Sequence, residues 1–286
     1  MINKCKQKYI LVGLLGLSLM ISGCTDSTSN EDDGTLSVLI TDAPFPSDLV
    51  AEAIIIIDSL DIRAKADGAG DGPFTTLSQE RGTYDLMDLR NGVTASLVNL
   101  DVPAGTYDLV RLFVDSAYVV LNDGQTYALR VPSGNNTGLK VFIRPQIEVI
   151  DGITSELLID MDVSKSFLVQ RIGQSSTTEL RFTFKPVIRA VNLSTAGSLT
   201  GLVTDTSAVP VPIADAQIEV ADGDSTLSST FTDVTGGYTM IGIPAGFYKV
   251  TAYAAEYDSL VVTDVEIKAA TATEQDMILH LLPGVE

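Results

Sequence analysis

The chain has 286 residues, with 18 basic side chains against 37 acidic ones and a net charge of −19 at pH 7. A field of that sign repels nucleic acid and anionic membrane surfaces, and nucleic acid is not expected as a partner. Two cysteines, Cys5 and Cys24, and one histidine, His280, leave no material for a disulfide framework, a Ser-His-Asp or Cys-His site, or a histidine-rich metal site. No cofactor and no catalytic residue are expected.

At the N-terminus, Lys4, Lys6 and Lys8 precede an apolar run from Ile10 to Met20, closed by Ile21-Ser22-Gly23-Cys24. A basic head, a short apolar core and a small-residue end read as a secretory signal, too short for a permanent span. The ending resembles the lipobox of bacterial lipoproteins. That resemblance implies residues 1–23 as signal peptide, Cys24 as the lipid attachment residue, and a bilayer partner held through its acyl chains, palmitate among them. Two or more chains make such attachment stable. The location it implies is the cell envelope, first the outer membrane and beyond it the surface. Without the three signal lysines the chain carries 15 basic residues against 37 acidic, a net of −22. Residues 24–33 hold Asp26, Glu31, Asp32 and Asp33 and nothing large and apolar to bury, so they read as a flexible acidic tether. An acidic cluster after a lipidated cysteine also resembles the surface-export signals of Bacteroidetes lipoproteins.

Beyond the tether the dominant period is two, with turn signals about every eight to twelve residues, which predicts antiparallel β architecture. Strands are predicted at Thr35–Thr41, Ala53–Ala64, Tyr107–Leu121, Gln125–Val131, Leu139–Ile150, Glu156–Val163 and Leu180–Lys185. In Glu156–Val163 the residues Leu157, Ile159, Met161 and Val163 share one face; Glu156, Asp160 and Asp162 share the other, read as facing water. Phe45–Ala53 and Asp85–Val98 carry a weak helical pattern. Asp67 to Pro73, with three glycines and a proline, reads as an exposed loop.

The pattern pauses in small polar residues at 194–198, read as a linker. The segment beyond this pause resembles the carboxypeptidase regulatory-like domain, through Gly201-Leu202-Val203-Thr204-Asp205, Pro212 to Val220, Thr232-Asp233 with Gly236-Gly237-Tyr238, and Ile243-Pro244-Ala245-Gly246-Phe247-Tyr248. That resemblance implies a transthyretin-like, seven-stranded sandwich over 199–283. Residues 34–193 resemble a bacterial lipoprotein domain of unknown function. They carry Thr41-Asp42-Ala43-Pro44, Asp88 to Gly92, Val102-Pro103-Ala104-Gly105-Thr106-Tyr107, Arg130 to Gly134 and Lys185-Pro186-Val187-Ile188-Arg189. The expected fold class is therefore all-β, two sandwiches in tandem, the first larger and with longer loops. Val102 to Leu109 also parallels Ile243 to Val250, with a tyrosine at the same offset. This predicts that the first domain contains a sandwich core of the same kind as the second.

The remaining chemistry is sparse. Asp160 and Asp162 on one strand face are the weaker candidates for a metal site, calcium in particular, because two carboxylates one strand repeat apart reach a shared cation. Tyr257, between Glu256 and Asp258, is the best candidate for an exposed aromatic that stacks on sugar, whereas Tyr107, Tyr118, Tyr238, Tyr248 and Tyr253 read as strand residues packed in cores. His280 reads as an edge-strand residue. These features leave two functions: a non-enzymatic, membrane-anchored structural or adhesive display module, or a lipoprotein that captures polysaccharide, in which the partner is a glycan.

Overall fold

The computed structural model describes residues 33–43, 50–66, 72–129, 131, 137–162, 166–172 and 179–284, the side chains of 43, 167–172 and 179–181 excepted. The signal segment, Cys24 and the tether up to residue 32 lie outside the described residues, as do 67–71 of the glycine-rich loop. Strands make up 69% of the described chain, as the alternating patterns require.

In the first domain the strands run β1 (Asp33–Ala43), β2 (Val50–Ala64), β3 (Phe74–Ser78), β4 (Gly82–Asp85), β5 (Ala95–Pro103), β6 (Gly105–Leu121), β7 (Thr126–Leu129), β8 (Leu139–Val149), β9 (Thr154–Asp162), β10 (Phe167–Ile172), β11 (Glu179–Phe184) and β12 (Ile188–Asn192). The second domain holds β13 (Ala196–Asp205), β14 (Gln217–Asp222), β15 (Ser225–Phe231), β16 (Gly237–Pro244), β17 (Gly246–Tyr253), β18 (Leu260–Ile267), β19 (Ala272–Glu274) and β20 (Met277–Leu279).

Strand pairing shows that the two domains repeat one plan. In the second, β13 pairs antiparallel with β16 and parallel with β19 and β20, and the facing sheet runs β15-β14-β17-β18. In the first, β1 pairs antiparallel with β5 and parallel with β9, and the facing strands run β3-β2-β6-β8. The seven strands correspond in chain order, sheet and sense, with the seventh split in the second domain. The shared Pro-Ala-Gly turns occupy equivalent corners: β5 passes into β6, and β16 into β17, by crossing between sheets. At each corner a tyrosine reaches back to the proline carbonyl four residues earlier. Tyr107 Oη donates to Pro103 O at 2.7 Å, and Tyr248 Oη to Pro244 O at 2.8 Å. Burial raises the pKa of both phenols, the largest effect on each.

The first domain adds β4 and β7 beside β2 and β6, a β10–β11 hairpin, and β12. Phe182 and Phe184 on β11 are buried in the first core, where Tyr127 of β7 meets Phe182 with ring centroids 4.7 Å apart. β12 lies antiparallel to β9 and bridges to β8 through Ala190 and Ile143, joining the two halves of the first sandwich on one side.

Several expectations need correction. Asp33, read as tether, opens β1, and Val50–Ala53, read as helical, belongs to β2. Within Asp85–Val98 only Leu86–Leu89 turns, as one 3-10 turn in which the Asp85 side chain accepts from the Met87 N–H. Asn91 and Gly92 then take positive φ values of 57° and 80°, which no helix continues, and β5 starts at Ala95. Residues 194–198 are no flexible linker. Leu193–Thr195 form a 3-10 turn and Ala196 is buried at the start of β13.

That junction is packed. Leu158 of β9, Val191 of β12 and Ala196 of β13 form a separate buried cluster, with Leu39, Leu193 and Ile241 against it. Leu158 points away from the first core and toward β16. A Cβ on Gly242, which sits at φ +69°, would lie 2.7 Å from Leu158 Cδ2. The side-chain oxygen of Asn91 also accepts a hydrogen bond from the backbone N–H of Thr239.

Candidate functional site

Among the described residues, none of the candidates of the sequence forms a site with another. Asp160 and Asp162 are buried, contrary to their reading as water-facing, because the outer face of β9 is covered. Asp160 stands directly opposite Arg189 of β12 and accepts hydrogen bonds from its Nε and Nη2. Its carboxylate is therefore engaged by an arginine. Among the described residues no group of three or more His, Cys, Asp or Glu side chains converges as a metal ligand set. Tyr257 is half-buried against the second core, its backbone bridged to Leu281, so its ring is no open platform. His280 follows β20, with its side chain exposed. Of the other tyrosines, Tyr107, Tyr238 and Tyr248 are core residues, but Tyr253 is exposed.

The surface that does assemble chemistry is the outer face of β2, β6 and β8. Their register sets two rows across the sheet, Arg63-Leu109-Phe142 and Asp61-Arg111-Lys140. Arg63 forms a forked pair with Asp108 at 2.9 and 3.0 Å. Arg111 pairs with Asp61, its guanidinium 4.0 Å from the ring centre of Phe74 and 5.1 Å from that of Phe113. These cations are neutralised in place, and they stiffen the sheet rather than offer charge.

β8 continues differently. Its inner residues Val141 and Ile143 enter the core, so Lys140, Phe142 and Arg144 all face outward. Phe142 is 53% exposed, and the Arg144 guanidinium lies 5.4 Å from its ring centre. Neither Lys140 nor Arg144 has an ion-pair partner among the described residues. On one side of this strip lies a cleft of about 390 Å³, walled by Arg189 of β12 and by Leu227 and Pro244 of the second domain. On the other lies one of about 450 Å³ bordered by Asp108, Pro145 and Gln146. Both clefts share Phe142 and Arg144. The result is a groove with unneutralised cations, an exposed ring, and polar acceptors at one margin.

Sequence reading missed this groove, marking Leu139–Ile150 only as a strand. Its signal was the alternation Lys140, Phe142, Arg144, where an exposed strand face in so acidic a chain carries two cations and a phenyl ring.

Comparison with known proteins places the chain. A family model described as a domain of unknown function (DUF4382) matches residues 33–186. The chain belongs to the DUF4382 family. A carboxypeptidase regulatory-like domain matches residues 198–280 of this DUF4382 protein, in agreement with the two-domain layout. No curated protein matches it. Among solved structures it is similar to a type II cohesin–X-dockerin complex from Acetivibrio cellulolyticus, at 19% identity and TM-score 0.26 over 30% of this chain, and spans 58% of that one. The minor pilin GBS52 of Streptococcus agalactiae gives 11% identity and TM-score 0.26, covering 87% of this chain and 98% of the pilin. The shaft pilin SpaA of Lactobacillus rhamnosus GG gives 8% and 0.27, with 89% and 99% covered. These superpositions are too loose to transfer a property.

Proposed function

We propose that this DUF4382 protein is a non-enzymatic, lipid-anchored module of the outer membrane that displays its two sandwiches at the cell surface in a structural or adhesive role. The observation that carries this reading is the packed seam. Leu158, Val191 and Ala196 are buried where the domains meet, so the anchor carries the two sandwiches as one body rather than as beads on a string. The lipobox-like ending at Cys24 supports the attachment. Polysaccharide capture is the second reading, favoured by the unneutralised cations and exposed ring of the β8 groove.

Fractionation of cells expressing Cys24→Ser tests the proposal. The wild type partitions with membranes and is shortened by cleavage after Gly23, and the variant is released in soluble form. Unchanged membrane attachment and processing of the variant would refute the anchor, and hydrolysis of sugars or peptides by the purified wild type would refute the non-enzymatic role.

A further inference from the structure

The groove along β8 points to a ligand chemistry. We infer that it binds an acidic polysaccharide, a chain of sugars bearing carboxylate or sulfate groups, laid along the outer face of Lys140, Phe142 and Arg144. This rests on the adhesive side of the proposed function and adds a site and a ligand class to it.

Four observations converge. The first is charge: Lys140 and Arg144 carry no ion pair among the described residues, although the chain has twice as many acids as bases. At physiological salt, screening over about 8 Å leaves a bound anion governed by the groove's own side chains rather than by the net charge of the chain. The second is spacing. Alternate residues on one strand face lie ~7 Å apart, so the cations flank the ring along an extended ligand instead of focusing on one small ion. The third is the Phe142 ring, more than half exposed where its neighbours Val141 and Ile143 are buried. Such a ring packs against the C–H faces of a sugar, with Arg144 close enough to bond the acid group beside it. The fourth separates a glycan from an acidic peptide. Asp108 and Gln146 border the same groove, and although Asp108 is held by Arg63 and Gln146 Oε1 accepts from Lys65 Nζ at 3.0 Å, the second lone pairs of these oxygens still accept hydrogen bonds from hydroxyl groups. A ligand rich in hydroxyls with intermittent acids satisfies both margins; a polyglutamate chain satisfies only one.

The test uses the full chain in detergent micelles, titrated with polygalacturonate, with neutral dextran and with poly-L-glutamate at matched length. Polygalacturonate is expected to bind and to weaken as salt is raised, and dextran and poly-L-glutamate to bind at least about tenfold more weakly. Phe142→Ala, Lys140→Ala and Arg144→Ala should each lower polygalacturonate affinity about tenfold without moving the melting temperature, since all three side chains are exposed. Equal affinity for poly-L-glutamate would overturn the glycan in favour of an acidic peptide. Absence of polygalacturonate binding, or variants that bind as well as wild type, would overturn the site. Neither result touches the anchor, which fractionation of Cys24→Ser tests separately.

Discussion

Gly242→Ala measures how tightly the two domains are joined. The residue sits in β16 at φ +69°, and the left-handed region costs an alanine about 1–2 kcal/mol. Its new Cβ would also stand 2.7 Å from Leu158 Cδ2. Leu158 is fully buried in one cluster with Val191 and Ala196, so its methyl group yields only against packed neighbours, and overpacking of this kind adds about 1–3 kcal/mol. The sum is about 2–5 kcal/mol. Gly124→Ala supplies the control: Gly124 has φ +84° and nothing within 4 Å of its would-be Cβ, so it incurs the backbone cost alone. Urea unfolding of both variants, together with Leu158→Ala and the Leu158→Ala/Gly242→Ala double variant, isolates the contact. Leu158→Ala alone should cost about 2–5 kcal/mol as a buried cavity. In the double variant the alanine methyl occupies part of that cavity, so the two costs should fall short of additivity by about 1–2 kcal/mol. If Gly242→Ala costs no more than Gly124→Ala and the pair is additive, the seam is not packed and the one-body reading fails.

The repeated corner predicts matched losses. Tyr107→Phe and Tyr248→Phe each remove a hydrogen bond to a proline carbonyl and should each cost about 1 kcal/mol in denaturant unfolding, within about 0.5 kcal/mol of one another. Asp160→Ala leaves Arg189 facing a buried site without its carboxylate. The expected loss in a urea midpoint is about 2–3 kcal/mol, below the roughly 3–5 of a fully buried pair because the Arg189 side chain keeps 24% exposure. In the second domain, Asp205 is held below its ordinary carboxyl pKa by the N–H of Val211 and then the hydroxyl of Ser207, and Asp233 by the hydroxyl and then the N–H of Thr235. A pKa lowered by folding contributes stability that is fully present above the unfolded value and is lost as pH falls through the folded one. Thermal unfolding should therefore be level down to about pH 4 and decline below it, with a shallower decline for the Asp205→Asn/Asp233→Asn double variant. An identical slope in that variant would show that these two carboxylates do not control it.

How far the fold could be read in the chain depended on whether a residue's surroundings come from its own strand or from elsewhere. Leu157, Ile159 and Met161 alternate toward the first core as expected, because a half-buried strand writes that pattern by itself. The opposite face of β9 reads as polar, and Asp160 and Asp162 follow the same alternation, yet they are buried: β12 delivers Arg189 across from Asp160, and β16 closes over Leu158. No local pattern announces a partner that arrives from β12 or β16, far along the chain. Small polar residues misled in the same way at 194–198, where Ala196 and Gly197 are small because β13 is closely approached. A Cβ on Gly197 would meet Lys268 O at 2.2 Å. The Pro-Ala-Gly echo was readable because the tyrosine and the carbonyl that it bonds lie four residues apart in one corner. Phe142 and Arg144 appeared only as strand residues, since their role depends on register with Leu109 and on the walls of a groove.

One of those walls comes from what the first domain has and the second lacks. Strands β1, β2, β3, β5, β6, β8 and β9 have counterparts in the second sandwich; β12 has none. It enters between β9 and β8, turns Ala190 toward the core, and so places Arg189 and Val191 outward. Val191 closes the seam with Leu158 and Ala196, and Arg189, fixed by Asp160, walls the cleft beside Phe142. One added strand thus joins the domains and bounds the groove. Seam and groove are then coupled: a change at Val191 that loosens the seam should also displace Arg189 and widen the cleft. In the second domain the edges of β18 and β19 receive no such strand, and the exposed Phe247 at 66% stands directly opposite Glu266 of β18. The charged and aromatic residues of the groove thus stand on β8, a strand of the repeated sandwich, and the inserted β12 together with Leu227 and Pro244 of the regulatory-like domain supplies one wall.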